Sequence, residues 1–245
     1  MNDSQDAFGH ALLDHLNGKE AFEVIERSDG FLDVSAPAAV YFNEYADWGP
    51  LGQKAADSAT GRVLDVGCGA GRFALHIQSR GLDVVAVDRS PLAIEVCRRR
   101  GVRDARVSAI TEINSDLGFF DTILMMGNNF GLFGNARRAR TLLRRFRNIT
   151  TSRGQILAQV LDPSQTTDPV HLEYQAANRA KGRLSGQIRM RIRLRQYKTP
   201  WFDYLFVPLE ELRQIIDGTG WQESEVLGWD GPVYVVRLTK SQTAG

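Results

Sequence analysis

The chain has 245 residues, a formal net charge of +1 and 43% hydrophobic residues, which predicts one α/β domain with a sizeable core and excludes disorder. No run of about 18 apolar residues occurs, and the polar start lacks the features of a secretory signal, so we expect a cytoplasmic protein without a membrane segment. The two cysteines, Cys68 and Cys97, lack metal-ligand spacing, so no metal site is expected.

Residues 1–55 are predicted to form an N-terminal helical cap. Apolar residues recur at helical spacing over residues 7–27, and Pro37 is predicted to begin a second helix. Three aromatic residues fall on one face of that second helix: Tyr41, Tyr45 and Trp48. This face either packs in the core or forms a lid over a ligand, and both interpretations stay open.

Residues 60–163 alternate short apolar strands with helices. The strands are predicted at residues 63–66, 84–87, 106–110, 122–126 and 155–161. Such alternation predicts a doubly wound, mostly parallel sheet with helices on both faces. Residues 208–245 add a helix and an antiparallel strand pair, which brings the predicted sheet to seven strands.

Residues 164–207 break this alternation and are predicted to form an insertion after the fifth strand. A polar helix begins at Asp168 and Pro169. Over residues 188–195 apolar residues alternate with arginines, which predicts a half-buried strand with a basic face. A second strand, about residues 201–207, is expected to pair with it. The helix and hairpin together are expected to cap a substrate pocket.

A glycine-rich turn follows the first core strand. The glycines fall at alternate positions, namely Gly67, Gly69 and Gly71. A dinucleotide fingerprint would place its third glycine where this chain has Arg72. Asp65 precedes the first glycine by two residues, and Asp88 ends the second strand, where a carboxylate can accept hydrogen bonds from two ribose hydroxyls.

The pattern of an acid, one residue and then G-x-G-x-G resembles the first motif of the class I methyltransferases, a Rossmann-like family that uses S-adenosyl-L-methionine (SAM). The resemblance covers about residues 40–240 and implies SAM as cofactor and S-adenosylhomocysteine (SAH) as product. It implies a cofactor site at the ends of the first four strands, with one residue from the N-terminal cap: Asp65, Gly67, Cys68, Gly69, Gly71, Asp88, Arg89, Ala109, Ile110, Gly127, Asn128 and Tyr41. Many members carry an acid after the third strand, where this chain has Ala109 and Ile110. Asp65 either contacts the cofactor or braces the turn.

Three residues are candidates for the catalytic side: His171, Asn128 and Tyr204. His171, on the inserted helix, is the side chain best suited to accept a proton near neutral pH, although a solvated polar helix face is the slightly favoured interpretation. Asn128 either faces the substrate or only supports a turn, because asparagine tolerates left-handed backbone.

The expected function is methyl transfer from SAM to an O, N or C atom of a small molecule by in-line displacement, in a monomer or homodimer. One alternative is an RNA methyltransferase that uses the arginine-rich surfaces at residues 137–147 and 189–195. Another is a SAM-binding protein without catalysis. The near-neutral net charge argues against nucleic acid as a partner.

Overall fold

The computed structural model describes residues 1–241, apart from the side chains of residues 35 and 36, so the last four residues of the predicted C-terminal segment lie outside it. The helices are α1 (Ala7–Leu16), α2 (Pro50–Asp57), α3 (Arg72–Ser79), α4 (Pro91–Arg99), α5 (Ala136–Asn148), α6 (Pro169–Ala180) and α7 (Leu209–Ile216). The strands are β1 (Phe22–Arg27), β2 (Leu32–Pro37), β3 (Val63–Val66), β4 (Val84–Asp88), β5 (Ala105–Val107), β6 (Phe120–Met125), β7 (Thr150–Leu161), β8 (Gln187–Leu194), β9 (Tyr197–Lys198), β10 (Phe202–Leu205), β11 (Trp221–Asp230) and β12 (Val233–Lys240).

A seven-stranded sheet forms the centre of the molecule, in the order β11-β12-β7-β6-β3-β4-β5. Strands β3 to β7 run parallel, while β12 pairs antiparallel with β7 and β11 with β12. Successive residues of β3 enter two different hydrophobic clusters, since Val63 packs with α2, α3 and α4 and Leu64 packs with α5 and α7. The predicted doubly wound, mostly parallel sheet with helices on both faces is therefore confirmed.

The N-terminal segment differs from the predicted helical cap. Only α1 is a long helix there, while β1 and β2 form an antiparallel hairpin. Tyr41 and Tyr45 lie in short 3-10 helices, so the helix expected from Pro37 is wrong. The N-terminal segment forms a strand because β1 pairs with β8, which is far along the chain and places Ile192 opposite Ile25. The local spacing of apolar residues carries no information about such a distant pairing.

A second, antiparallel sheet has the order β10-β8-β1-β2, and β9 adds a short pairing to β8. The predicted hairpin within the insertion is confirmed, because β10 pairs with β8 and places Tyr204 opposite Ile188. Three apolar residues of β8 face one side of this sheet: Ile188, Met190 and Ile192. The insertion and the N-terminal hairpin thus form one layer that faces the carboxyl ends of the central strands.

The arginines on the other face of β8 have carboxylate partners. Glu26 of β1 accepts hydrogen bonds from Arg191 at 2.8 Å and from Arg193 at 3.0 Å. Two further pairs join Arg189 to Asp203 and Arg195 to Asp14. The basic face predicted for this strand is therefore neutralised within the chain.

Candidate active site

A cavity of about 870 Å³ lies where the central strands end beneath the second sheet. Eleven of the twelve expected cofactor residues line it, and so do His171 and Tyr204. The described residues 1–241 contain no group of three or more histidine, cysteine or acidic side chains able to hold a metal ion. Within the same range, no helix is long and apolar enough to cross a bilayer.

Gly71 is the exception, because it does not line the cavity. Its φ of +79° begins α3, and an added Cβ would lie 2.8 Å from Val102 Cγ2 and 2.9 Å from Cys97 Sγ. The third glycine therefore permits close packing beneath the turn. The Cys97 thiol supports the same turn by donating to the Gly69 carbonyl at 3.1 Å. A hydrogen bond with Cys97 and burial raise the pKa of the Cys68 thiol, so Cys68 stays protonated.

Gly67 is held between the ends of β3 and β6. Its φ is +73°, and an added Cβ would lie 2.6 Å from Asn129 Nδ2 and 2.8 Å from Leu132 Cδ1. The same Asn129 amide donates to the carbonyls of Val66 at 2.9 Å and Gly67 at 2.8 Å. The turn is thus fixed by a side chain from the neighbouring strand end, and it leaves no room for a Cβ.

Asp88 lies at the end of β4 and faces the glycine turn. Its Oδ2 accepts the Gly69 amide at 3.1 Å, and its Oδ1 accepts the Ser90 amide at 2.9 Å. Burial raises the pKa of this carboxyl group, while these amides and the nearby Arg89 oppose the rise. Each oxygen keeps a further lone pair for a ligand hydroxyl.

Asp65 is almost fully buried at the end of β3, with 2% of its surface exposed. Its Oδ2 has no hydrogen-bond partner among the described residues. Burial, followed by the charge of Asp88, raises the pKa of Asp65 to about 7. A buried carboxylate oxygen without a partner is costly unless a cationic or hydrogen-bond-donating ligand satisfies it.

The residues after β5 and β6 border the same cavity. Ala109 and Ile110 line it without contributing a carboxylate to the lining. Gly127 and Asn128 follow β6, and Asn128 has a left-handed backbone with a φ of +62°. Its Oδ1 is buried and has no hydrogen-bond partner within residues 1–241. Both sequence interpretations of Asn128 therefore have support, because the residue makes the turn and also leaves a free acceptor.

Tyr204 reaches the cavity from β10 and binds the end of β6. Its hydroxyl donates to the Asn128 carbonyl at 2.8 Å. Burial, followed by the charge of Glu23, raises the pKa of Tyr204 above its ordinary value. The phenol is therefore a hydrogen-bond donor at neutral pH and holds the second sheet against the central one.

His171 borders the cavity from α6, but Arg27 occupies one of its nitrogens. The guanidinium Nη1 lies 2.8 Å from His171 Nδ1, and the same arginine forms a salt bridge with Asp29 at 2.7 Å. Because a guanidinium only donates, Nδ1 must accept and the imidazole proton lies on Nε2. Nδ1 is therefore not free to take a proton from a substrate. Arg27 lies on β1, the strand that local spacing missed.

Glu23 is the cavity residue that sequence reasoning did not find. It lies on β1, is 2% exposed, and has an Oε1 without a hydrogen-bond partner among the described residues. Its Oε2 accepts from the Tyr41 hydroxyl at 3.4 Å. Burial raises the pKa of Glu23 to about 7. The sequence does contain a signal for this position, because Glu23, Ile25 and Arg27 are spaced two residues apart. In a strand, that spacing places all three side chains on one face.

The sequence and the fold were compared with known proteins. A model of a methyltransferase domain matches residues 63–154. A ubiquinone biosynthesis O-methyltransferase of Methylocella silvestris is 37% identical over 70 residues, which are 26% of this chain and 27% of that protein. A magnesium-protoporphyrin O-methyltransferase of Rhodobacter capsulatus is 37% identical over 75 residues, which are 29% of this chain and 34% of that protein. The chain therefore spans only about a quarter to a third of the length of these curated relatives.

One solved structure matches along the whole length. It is a SAM-dependent methyltransferase from Bacteroides fragilis in complex with SAH, with a TM-score of 0.85 and 27% identity over 99% of this chain and 98% of that one. The domain match at residues 63–154 includes both the glycine turn and Asp88 at the end of β4, and it agrees with this similarity. The chain is therefore similar in sequence and in fold to SAM-dependent methyltransferases, with a methyltransferase domain at residues 63–154.

Proposed function

We propose that this protein transfers the methyl group of SAM to a small-molecule acceptor. The observation that carries the proposal is one cavity that joins the glycine turn, Asp65 and Asp88 to an apolar roof made by the second sheet. When bound, SAM supplies a methyl group already activated on a sulfonium. The chain then has to bind, orient and exclude water, and positioning alone contributes about 7–11 kcal/mol.

The residues of the turn fit SAM. The partnerless Oδ2 of Asp65 suits the ammonium group of the methionine part, and Asp88 suits the ribose hydroxyls. Gly67 and Gly69 let the backbone approach without a side chain. Arg89, Ala109, Ile110, Gly127 and Tyr41 complete the proposed cofactor contacts.

The pairing of arginine side chains with groups of the same chain favours a small acceptor over RNA. Those on β8 pair with carboxylates, and two on α5 donate to carbonyls near the end of α7, with Arg140 bound to Gln214 and Arg144 to Gly218. Guanidinium groups with internal partners are less available to a phosphate backbone. The curated relatives named above are O-methyltransferases, which supports an oxygen acceptor.

Titration calorimetry tests the cofactor. We expect SAM and SAH to bind and NADH to give no heat at the same concentration. Binding of NADH without either adenosyl compound would overturn the proposal. Incubation of the purified protein with isotopically labelled SAM and a protein-free extract of small molecules, followed by mass spectrometry, then separates an enzyme from a SAM-binding protein without catalysis, because only an enzyme gives a labelled product.

Replacement of Asp88 by alanine should weaken SAM binding by roughly tenfold to a hundredfold. The change removes a charged acceptor worth about 1.5–3 kcal/mol, and it also releases the Gly69 amide. Asp83, just before the same strand, pairs with Arg62 away from the cavity, so Asp83→Ala is the matched control. Equal SAM affinity in the two folded variants would show that the ribose is held elsewhere.

A further inference from the structure

The strongest unexplained group in the cavity is the Glu23 carboxylate. One of its oxygens accepts a long hydrogen bond from Tyr41, and the other has no partner in the described part of the chain. The side chain lines the same cavity as the glycine turn. A buried carboxylate is retained at this energetic cost only where something binds it.

Among the described groups of its cluster, Glu23 is the carboxyl group whose pKa, raised to about 7, suits proton uptake near neutral pH. The groups that face it are Tyr41 from the 3-10 helix and Tyr204 from β10, and burial raises the pKa of both phenols. Arg72 of α3 faces Tyr41 and donates to the Val40 carbonyl at 2.9 Å. Along the same sheet, β2 contributes Asp33 to the cavity.

Glu23 lies between the glycine turn, which forms one part of the site, and the end of β6, which forms the other. Tyr41 packs beside the glycine turn, since its Cδ1 would lie 3.7 Å from a Cβ added at Gly69. Tyr204 binds the end of β6 through Asn128. Glu23 contacts the first tyrosine, and its charge acts on the second. A reacting atom between the turn and the end of β6 is therefore within reach of this carboxylate.

The roof of the cavity that Glu23 lines is apolar and partly aromatic. It is lined by Ile25, Ile188, Met190, Ile192, Phe202 and Phe206. Such a wall favours a ring or hydrocarbon body and leaves one polar atom to be matched by the carboxylate.

Resting on the proposed function, we propose that Glu23 is the general base of methyl transfer and that the acceptor is a phenolic hydroxyl. The acceptor O–H bond breaks and its proton moves to Glu23 Oε1, while the oxygen forms a bond to the methyl carbon. The bond between that carbon and the sulfonium sulfur breaks, and its electron pair stays on sulfur. The products are the methyl ether, SAH and a neutral Glu23.

Acidity separates a phenol from the other acceptors. A phenol with a pKa of about 10 lies a few units above Glu23, whereas an alcohol lies near water at about 15.7. Proton transfer to Glu23 is thus accessible only from the more acidic group. An ammonium acceptor would bring a second positive charge beside the sulfonium in a low-dielectric cavity, which is unfavourable.

The test uses the wild-type protein, Glu23→Gln, and Glu26→Gln as matched control. Glu26 lies on the same strand but faces Arg191 and Arg193 away from the cavity. Calorimetry first measures SAH affinity in all three proteins. The SAH complexes are then titrated calorimetrically with phenol and with its methyl ether anisole, at a pH at which the Glu23 carboxyl group is ionised.

We expect wild type and Glu26→Gln to bind phenol at least about tenfold more tightly than anisole. In Glu23→Gln the preference should fall below about twofold, at unchanged SAH affinity. With SAM and phenol, kcat should rise with pH through about 7 in wild type and fall by roughly 100-fold to 10,000-fold in Glu23→Gln.

Two results would overturn the assignment. One is equal binding of the phenol and the ether by wild type, and the other is a preference that survives in Glu23→Gln. Loss of SAH binding by wild type would instead contradict the proposed function, so the two failures are distinguishable. A Glu23→Gln protein with normal SAH affinity is folded at the turn, which removes misfolding as an explanation.

Discussion

Replacing Glu23 by glutamine should stabilise the folded protein by about 3 kcal/mol above neutral pH and have almost no effect near pH ~4. Burial raises the pKa of Glu23 from its ordinary 4.5 to about 7. The folded state therefore holds the proton more tightly than the unfolded state, and stability is lost as the pH rises through that interval. Glutamine keeps the shape of the side chain and removes the buried charge.

Urea unfolding of wild type and Glu23→Gln at about pH 4 and about pH 8.5 measures this difference directly. Glu26→Gln serves as control, because its carboxylate is paired with Arg191 and Arg193 and its pKa is lowered. That control should not gain stability at high pH. A Glu23→Gln protein that is no more stable than wild type at the higher pH would mean that the carboxylate is already neutralised by an internal partner.

Gly67→Ala should destabilise the fold by about 2–5 kcal/mol and greatly weaken SAM binding. About 1–2 kcal/mol arises from placing a Cβ at positive φ, and about 1–3 kcal/mol from the contacts with Asn129 and Leu132. A turn that shifts to relieve these contacts also moves away from Asp88. Part of that energy, about 1.4–2.8 kcal/mol, then appears as a loss of SAM affinity of about tenfold to a hundredfold.

Gly81→Ala separates the two contributions. Gly81 has a φ of +80°, but an added Cβ there meets nothing within 4 Å, and the residue does not line the cavity. This variant should show the backbone penalty alone, with unchanged SAM affinity. Thermal unfolding and SAH calorimetry on both variants provide the comparison. Equal effects of the two substitutions on SAM affinity would contradict the close packing described at Gly67.

The central sheet and the cofactor end of the cavity could be predicted because their signals are local. Asp65, the alternating glycines and Asp88 fall within one strand, one turn and the next strand, and each has a backbone or hydrogen-bonding reason to be where it is. Gly71 was assigned to the ligand because it shares that spacing. Its true neighbours, Val102 and Cys97, come from elements whose packing the spacing does not encode.

The acceptor end of the cavity could not be predicted, because it depends on pairing between distant segments. The local spacing places Glu23 in a helix, because it does not reveal that Ile192 lies opposite Ile25. The same spacing places Arg27 on that helix, so it does not predict the contact between Arg27 and His171. Both differences have one cause, because the faces of a strand are known only when its pairing partner is known.

The pairing of β1 with β8 affects the order in which the two parts of the site form during synthesis. The glycine turn and its parallel strands close over short stretches of chain, whereas Val24 cannot meet Arg193 until most of the polypeptide has been synthesised. Distant pairings form slowly, because the entropy of closing the intervening loop must be overcome first. A growing chain would thus be able to bind SAM before the second sheet covers the cavity and excludes water from it.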